Sequence, residues 1–355
     1  MTSYTLKITT LSPLHIGEGE ELRHGFDFAT DGKYTYRLDV DHILEKYPEL
    51  CRPPYKLPGS VLSESDLAKD EYFRYIIQGT ARSSKTDARL QACIKDVHDI
   101  PYLPGSSIKG ALRTALAFTG WGEARVQLDR SEIGFNSKSA GQKLEKNIFG
   151  RDPNHDLLRA LQVSDCFTDA GAQAMFIANA QVITQKTTGS PISLEAIKPQ
   201  TEFAGSLKID DTLFSAMAEP ELHFKNRRLW LDELILRVKK HSHERIDAML
   251  PWFEHADNAT RVYQYLQNLR SFSLSKQQAI LQLGWGTGWD GKTFWTHLTA
   301  NKGMFEQLVS DFGMNRRGAQ RKVGDRFPRS RRVALSKDVP GGVFGWVLLE
   351  LVQKG

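Results

Sequence analysis

The stretch Leu103-Pro104-Gly105-Ser106-Ser107-Ile108-Lys109-Gly110-Ala111-Leu112-Arg113-Thr114-Ala115-Leu116 constrains this chain more than any other. Pro104-Gly105 marks a chain reversal. Ser106 or Ser107 is placed to cap a following helix, because a serine oxygen accepts from an unpaired backbone N–H. Ile108, Leu112 and Ala115 recur at helical spacing and turn toward a core. Lys109 and Arg113 stand four apart, as neighbours on the adjoining face. Gly110 removes a side chain from the first turn, where another backbone can approach. A helix start with free N–H groups, serines and two cations suits a phosphate. A capped helix with a solvated basic face reads the same way, and these residues alone leave both readings open.

At 355 residues, two domains are the soft expectation. The composition is globular, 40% hydrophobic and 25% charged. No stretch approaches the roughly 20 apolar residues of a membrane span, and no secretory leader is expected. Cys51, Cys93 and Cys166 stand far apart and form neither a zinc pair nor a disulfide framework, which fits a reducing cytoplasm. The charge distribution says more than the net +5. Residues 311–337 hold Arg316, Arg317, Arg321, Lys322, Arg326, Arg329, Arg331, Arg332 and Lys337 against Asp311 and Asp325, a local net of +7. The rest of the chain is close to neutral. A guanidinium fork matches phosphate geometry, so this segment points to nucleic acid; a basic surface loop without a partner is the plainer alternative.

Period-2 alternation predicts a strand over 4–10, then a loop at Ser12-Pro13-Leu14-His15-Ile16-Gly17-Glu18-Gly19. A hairpin follows, with Asp31-Gly32 at its turn, and a short helix over 41–47. Residues 48–100 read as an insertion with helices at 66–78 and 87–97, and 119–155 as a long loop. Strands are expected at 161–167, from 174 and within 199–209. Residues 229–239 fit either helix or strand. Helices are expected at 242–250, 258–269 and 293–309, and a last strand at 346–352. Strands and helices in this order make an α+β protein.

Several local patterns compete for chemistry. Gly286-Thr287-Gly288-Trp289-Asp290-Gly291-Lys292-Thr293 satisfies the phosphate-loop pattern letter for letter. An NTPase also needs a parallel sheet and a later acidic residue for magnesium, and only 62 residues follow Thr293. His15 is a candidate general base or RNA contact, although a lone loop histidine is most often neither. Asp27 fits strand cleavage or, more plainly, a solvated hairpin. His241-Ser242-His243 lacks an evident third metal ligand, the acidic run 18–21 lacks calcium-loop spacing, and Ser106 and Ser107 lack a partner histidine. No metal or cofactor is therefore expected. Trp285 and Trp289 suit base stacking or core packing equally.

Several pieces together resemble the RAMP proteins, the repeat-associated subunits of type III CRISPR effectors. They are Leu11-Ser12-Pro13-Leu14-His15-Ile16-Gly17, the 103–116 helix start, Val163-Ser164-Asp165 and Thr201-Glu202-Phe203-Ala204-Gly205. Gly284-Trp285-Gly286-Thr287-Gly288-Trp289 and Gly341-Gly342-Val343-Phe344-Gly345-Trp346 complete the set, in the family's order. Within the family the opening segment and length most resemble the fifth subunit of the subtype III-A (Csm) complex. The resemblance implies two tandem ferredoxin-like domains, related to RNA-recognition motifs and carrying helical insertions, placed here at 1–210 and 211–355 with the insertion near 48–100. It implies a non-catalytic RNA-binding subunit at the 3′ region of the CRISPR RNA (crRNA), beside the Csm backbone subunits, assisting guide maturation with host nucleases. The related backbone subunit cuts with a loop aspartate, but the context of Asp27 differs and that activity is not carried over. The resemblance also gives the 286–293 glycines a purpose without ATP. The expected RNA contacts are His15, Gly17, Ser106, Ser107, Lys109, Arg113, Trp285 and the basic residues Arg316, Arg317, Arg321, Lys322, Arg326, Arg329, Arg331 and Arg332. A metal-independent endoribonuclease acting on guide precursor is the alternative, and a phosphate-loop ATPase a second.

Overall fold

The computed structural model describes residues 1–63, 65–82, 88–314 and 324–353. The chain opens with β1 (Thr2–Thr10), β2 (Gly17–Arg23), β3 (Phe28–Thr30), β4 (Tyr34–Leu38), α1 (Val40–Lys46), β5 (Phe73–Gln78) and β6 (Arg89–Cys93). Then come α2 (Gly105–Gly120), α3 (Arg130–Ile133), α4 (Gln142–Phe149), β7 (Leu161–Val163), β8 (Met175–Thr184), β9 (Ile192–Ile197) and β10 (Glu202–Ile209). A helical stretch follows: α5 (Glu219–Leu222), α6 (Arg228–Asp232), α7 (Leu234–Glu254) and α8 (Thr260–Arg270). The last elements are β11 (Gln278–Gln282), α9 (Trp295–Ala300), α10 (Lys302–Asp311), β12 (Ser330–Ser336), β13 (Val339–Gly342) and β14 (Trp346–Gln353). The fold is α+β. No described helix is long and apolar enough to cross a membrane.

Two sheets organise these elements. The first has the order β11-β14-β1-β10-β7, antiparallel throughout. Its strands β1, β7, β10 and β14, with α2 and α7, follow a strand–helix–strand–strand–helix–strand path. Alternation works as the sequence implies: Leu6 and Ile8 face inward while Lys7 faces out. The inward face packs on Ile108, Leu112 and Leu116 of α2 and Val238 of α7, with Leu207 and Leu349 from neighbouring strands. Each such buried leucine contributes about 1.5–3 kcal/mol. The second sheet runs β2-β6-β9-β8-β5-β4-β3, with β12 on the far end of β8 and β13 on β12.

Several expectations are corrected here. Residues 66–78 and 87–97 are not helices. Short 3-10 turns at Asp66–Ala68 and Asp70–Tyr72 precede β5, and both β5 and β6 are strands within the second sheet. Tyr75 and Ile77 alternate inward with Arg74 outward, a strand period that outweighs local helix propensity. The 48–100 block is thus part of the fold's frame rather than an insertion into it. The 119–155 loop contains α3 and α4, residues 229–239 are helical, and the 293–309 helix is split at Asn301, whose side chain caps α10 at Met304 N, 3.0 Å away. A cut at residue 210 would separate paired strands, β1 from β14 and β8 from β12.

Candidate nucleic-acid interface

The start of α2 is closed off by the protein's own carboxylates. Pro104 occupies the cap position and neither serine caps the helix. Instead, the Gly105 N–H donates to Asp165 Oδ1 at 2.7 Å. A Cβ on Gly105 would lie 2.3 Å from the Val163 carbonyl oxygen, so only glycine lets the helix start sit against β7. The Val163-Ser164-Asp165 segment and the helix start are therefore two halves of one joint. Arg113 donates to Glu145 Oε2 at 3.1 Å and Asp156 Oδ2 at 2.8 Å, with its guanidinium 4.1 Å from the Phe149 ring centre. Lys109 is half-buried, and that burial lowers its pKa despite the nearby Asp156. Ser106 is exposed and Ser107 half-buried.

Three glycine-containing segments far apart in sequence meet at a second joint. The Gly345 N–H donates to the Pro13 carbonyl at 2.9 Å, Trp285 N–H to the His15 carbonyl at 2.8 Å, and Leu283 N–H to the Gly345 carbonyl at 2.8 Å. The Trp346 N–H donates to Ser12 Oγ at 2.9 Å. Gly284 (φ 69°) and Gly345 (φ 85°) take left-handed conformations there, and a Cβ on either would strike a carbonyl oxygen within 2.4 Å. His15 is 3% exposed, and its Nδ1 meets the Glu195 carbonyl at 2.6 Å. Burial lowers its pKa, so the ring is held neutral. Beneath it the buried Glu195 carboxylate accepts from Tyr75 Oη (2.7 Å), Cys93 N–H (3.0 Å) and Lys95 Nζ (2.8 Å). A ring so enclosed reaches no substrate, which removes it as a general base; His15 holds the loop from inside, while Gly17 beside it is exposed. Asp27 is likewise engaged, accepting from Arg23 N–H at 2.8 Å and pairing with Arg37 at 3.4 Å.

The phosphate-loop pattern does not sit in an NTPase frame. β11, the strand before it, is an edge strand antiparallel to β14, and the helix after it begins only at Trp295 and spans six residues. Parallel strands flanking such a loop are absent from the first sheet.

Beyond this joint lies a basic groove. Trp252 Nε1 donates to the Pro328 carbonyl at 3.1 Å and pins the segment ahead of β12 to α7. A cavity of about 680 Å³ opens over Trp252 between the Thr184-Gln185-Lys186-Thr187 turn and a wall that includes Gly324, Asp325, Arg326 and Arg329. A second, of about 310 Å³, adjoins it between residues 286–290 and Pro328, Ser330, Arg331 and Arg332. Among the described residues, Lys186, Arg326, Arg329 and Arg332 outnumber the carboxylates lining the two cavities, Asp325 and Asp290. Arg332 lies 4.6 Å from the ring centre of the half-buried Trp285, which also packs edge-on against Phe344 at 5.4 Å and His15 at 6.2 Å. Arg331 departs from expectation. It is 9% exposed and ion-paired with Asp290 at 3.0 Å, because successive strand residues face opposite sides. Arg316, Arg317, Arg321 and Lys322 lie outside the described residues. Sequence reasoning missed Lys186, Arg245, Asp165 and Glu195; only Asp165 carried a signal, as part of a family-like motif.

An α+β frame whose separated glycine segments join beside a basic, aromatic groove defines the class of protein to which this chain belongs. The chain belongs to the RAMP superfamily, whose sequence profile matches residues 7–289. A curated relative from Methanocaldococcus jannaschii, described as the CRISPR system Cms protein Csm5, is 26% identical over 98% of this chain and 89% of its own length. A Streptococcus thermophilus protein of the same description is 26% identical over 56% of this chain and 62% of its own. A chain in the cryo-EM structure of a type III-A Csm–crRNA–target RNA ternary complex matches with TM-score 0.74 and 24% identity, covering 99% of this chain and 100% of that one. The crystal structure of T. onnurineus Csm5 matches with TM-score 0.66 and 21% identity, over 96% and 99% respectively.

Proposed function

We propose that this chain is a non-catalytic RNA-binding subunit of a type III-A CRISPR ribonucleoprotein, capping the crRNA-bound backbone at the 3′ end of the guide. Family membership and full-length similarity to Csm5 proteins support the assembly. The observation that carries the RNA role is the groove of Lys186, Arg326, Arg329 and Arg332 beside Trp285, with cations in excess of carboxylates. Cations neutralise the RNA backbone and the indole stacks a base. Arg331 lies behind this surface, and His15, with Gly17 next to it, holds the glycine joint beside it, whereas Ser106, Ser107, Lys109 and Arg113 belong to the separate α2 start. The β1–α2–β7–β10–α7–β14 path supports one ferredoxin-like unit, completed by the chain's last strand; the second unit is built on the other sheet. Neighbouring Csm backbone subunits, and host nucleases during maturation, are the remaining partners, in the cytoplasm.

The test is affinity purification of the tagged chain expressed with its Csm partners. A guide RNA that co-purifies, and falls away when Arg326, Arg329 and Arg332 are replaced by alanine, is the expected result. Cleavage of repeat RNA by the purified chain in EDTA would overturn the non-catalytic reading.

A further inference from the structure

Behind the groove the molecule buries more positive than negative charge. Arg245 of α7 and Arg331 of β12 are both buried, and among the described residues the carboxylate beside them is Asp290, paired with Arg331 at 3.0 Å. Arg245 donates instead to the Thr287 carbonyl, and Gly291 lies flat on its guanidinium, where a Cβ would come within 1.9 Å of Nη1. Burial pulls Arg245 down to about 10, which still leaves it charged at neutral pH. The Nε atoms of Arg245 and Arg331 are buried without a hydrogen-bond acceptor. Two cations against one anion leave a net charge of about +1 in a region where an uncompensated charge costs several kcal/mol.

The loop in front of these arginines has spare donors. Among the described residues, the backbone N–H groups of Gly286, Gly288, Trp289 and Asp290 meet no acceptor, while Thr287 turns back toward the Gly284 carbonyl. Gly286 (φ 89°) and Gly288 (φ 76°) are left-handed, and alternation of this kind turns successive N–H groups into one concavity that attracts anions. This concavity lines the 310 Å³ cavity together with Ser330, Arg331 and Arg332.

We propose that the 286–290 loop, backed by Arg245 and Arg331, is a receptacle for a single phosphate group. This rests on the RNA-binding reading of the groove and adds to it a discrete, partly enclosed site. The charge decides the ligand: a buried excess of one matches one phosphodiester or one phosphate monoanion, held by main-chain donors rather than by a lysine. It also explains why the phosphate-loop pattern occurs outside an NTPase frame. The site binds the group and transfers nothing.

Thermal unfolding of the whole chain in sodium phosphate, against sodium chloride at equal ionic strength, tests this without any variant. Phosphate should raise the midpoint. In Arg245→Met, which removes the buried excess and keeps the stem, phosphate should no longer raise it. The slope of log affinity against log salt for single-stranded RNA should then fall by about 0.7, one phosphate contact. RNAs ending in a 3′-phosphate or a 3′-hydroxyl separate the two sources: equal affinity places an internal diester in the site, and a preference for the phosphate places a chain end there. No midpoint shift in the wild type, with an unchanged RNA slope in Arg245→Met, overturns the receptacle. If replacing Arg326, Arg329 and Arg332 still weakens RNA binding in that case, the groove stands and only the receptacle falls.

Discussion

The start of α2 and the groove beside Trp285 are both rich in cations, and they use them differently. At α2 the helix start and Arg113 meet internal anions: Gly105 N–H meets Asp165, and Arg113 meets Glu145 and Asp156. In the groove Lys186, Arg326 and Arg332 line open cavities, and Arg332 stacks on an indole. The lesson is that the positive charge of a motif measures nothing until its counter-ions are located. An anion-binding helix start whose first N–H already holds a carboxylate is a joint between elements.

Three substitutions press on this contrast. Trp285→Ala should have the largest effect, weakening single-stranded RNA binding by about 1–3 kcal/mol, tenfold or more, as read by equilibrium titration. Arg113→Ala should leave RNA affinity within twofold and lower folding stability by about 1 kcal/mol in urea unfolding, since it strands two carboxylates at the edge of α2. Asp165→Ala should cost a similar or smaller amount, about 0.5–1 kcal/mol, by leaving the Gly105 N–H without its acceptor. An RNA defect in Asp165→Ala at unchanged stability would break the contrast.

Acid should act on the loop joint and the core. His15 is held neutral by burial, and His241, packed on Phe118, is pushed down to about 3 by its own burial and by Arg245. Both take up protons more readily when unfolded, near the ordinary value of about 6.5. Their contribution is complete above that value and is lost as pH falls below it. The urea midpoint should therefore drop between pH 7 and pH 5, and drop less in His241→Phe.

Much of the frame is legible in the sequence because it rests on periodicity. The 4–10 strand, the Asp31-Gly32 hairpin, the 103–116 helix and the last strand all carry clear period-2 or period-3.6 signals. β9 carries none: its residues from Ser193 onward are buried on both faces, and the run shows no alternation to detect. β5 and β6 are short, and their neighbours are charged enough to imitate helix. At the site, Trp285, Arg326, Arg329 and Arg332 could be chosen from composition and motif. Their sorting could not. Asp165 reaches the α2 start from 60 residues away, and Arg245 reaches the glycine loop from 42 away. Arg331 and Arg332 part company only once Ser330–Ser336 is known to be a strand.

The most direct measurement compares the salt dependence of single-stranded RNA binding for two variants of the whole chain. Replacing Arg326, Arg329 and Arg332 with alanine should lower the slope of log affinity against log salt by about 2, roughly 0.7 for each phosphate released. Replacing Lys109 and Arg113 should leave the slope unchanged. The opposite pattern, a slope lowered at α2 and intact in the groove, would contradict the assignment of RNA to the groove.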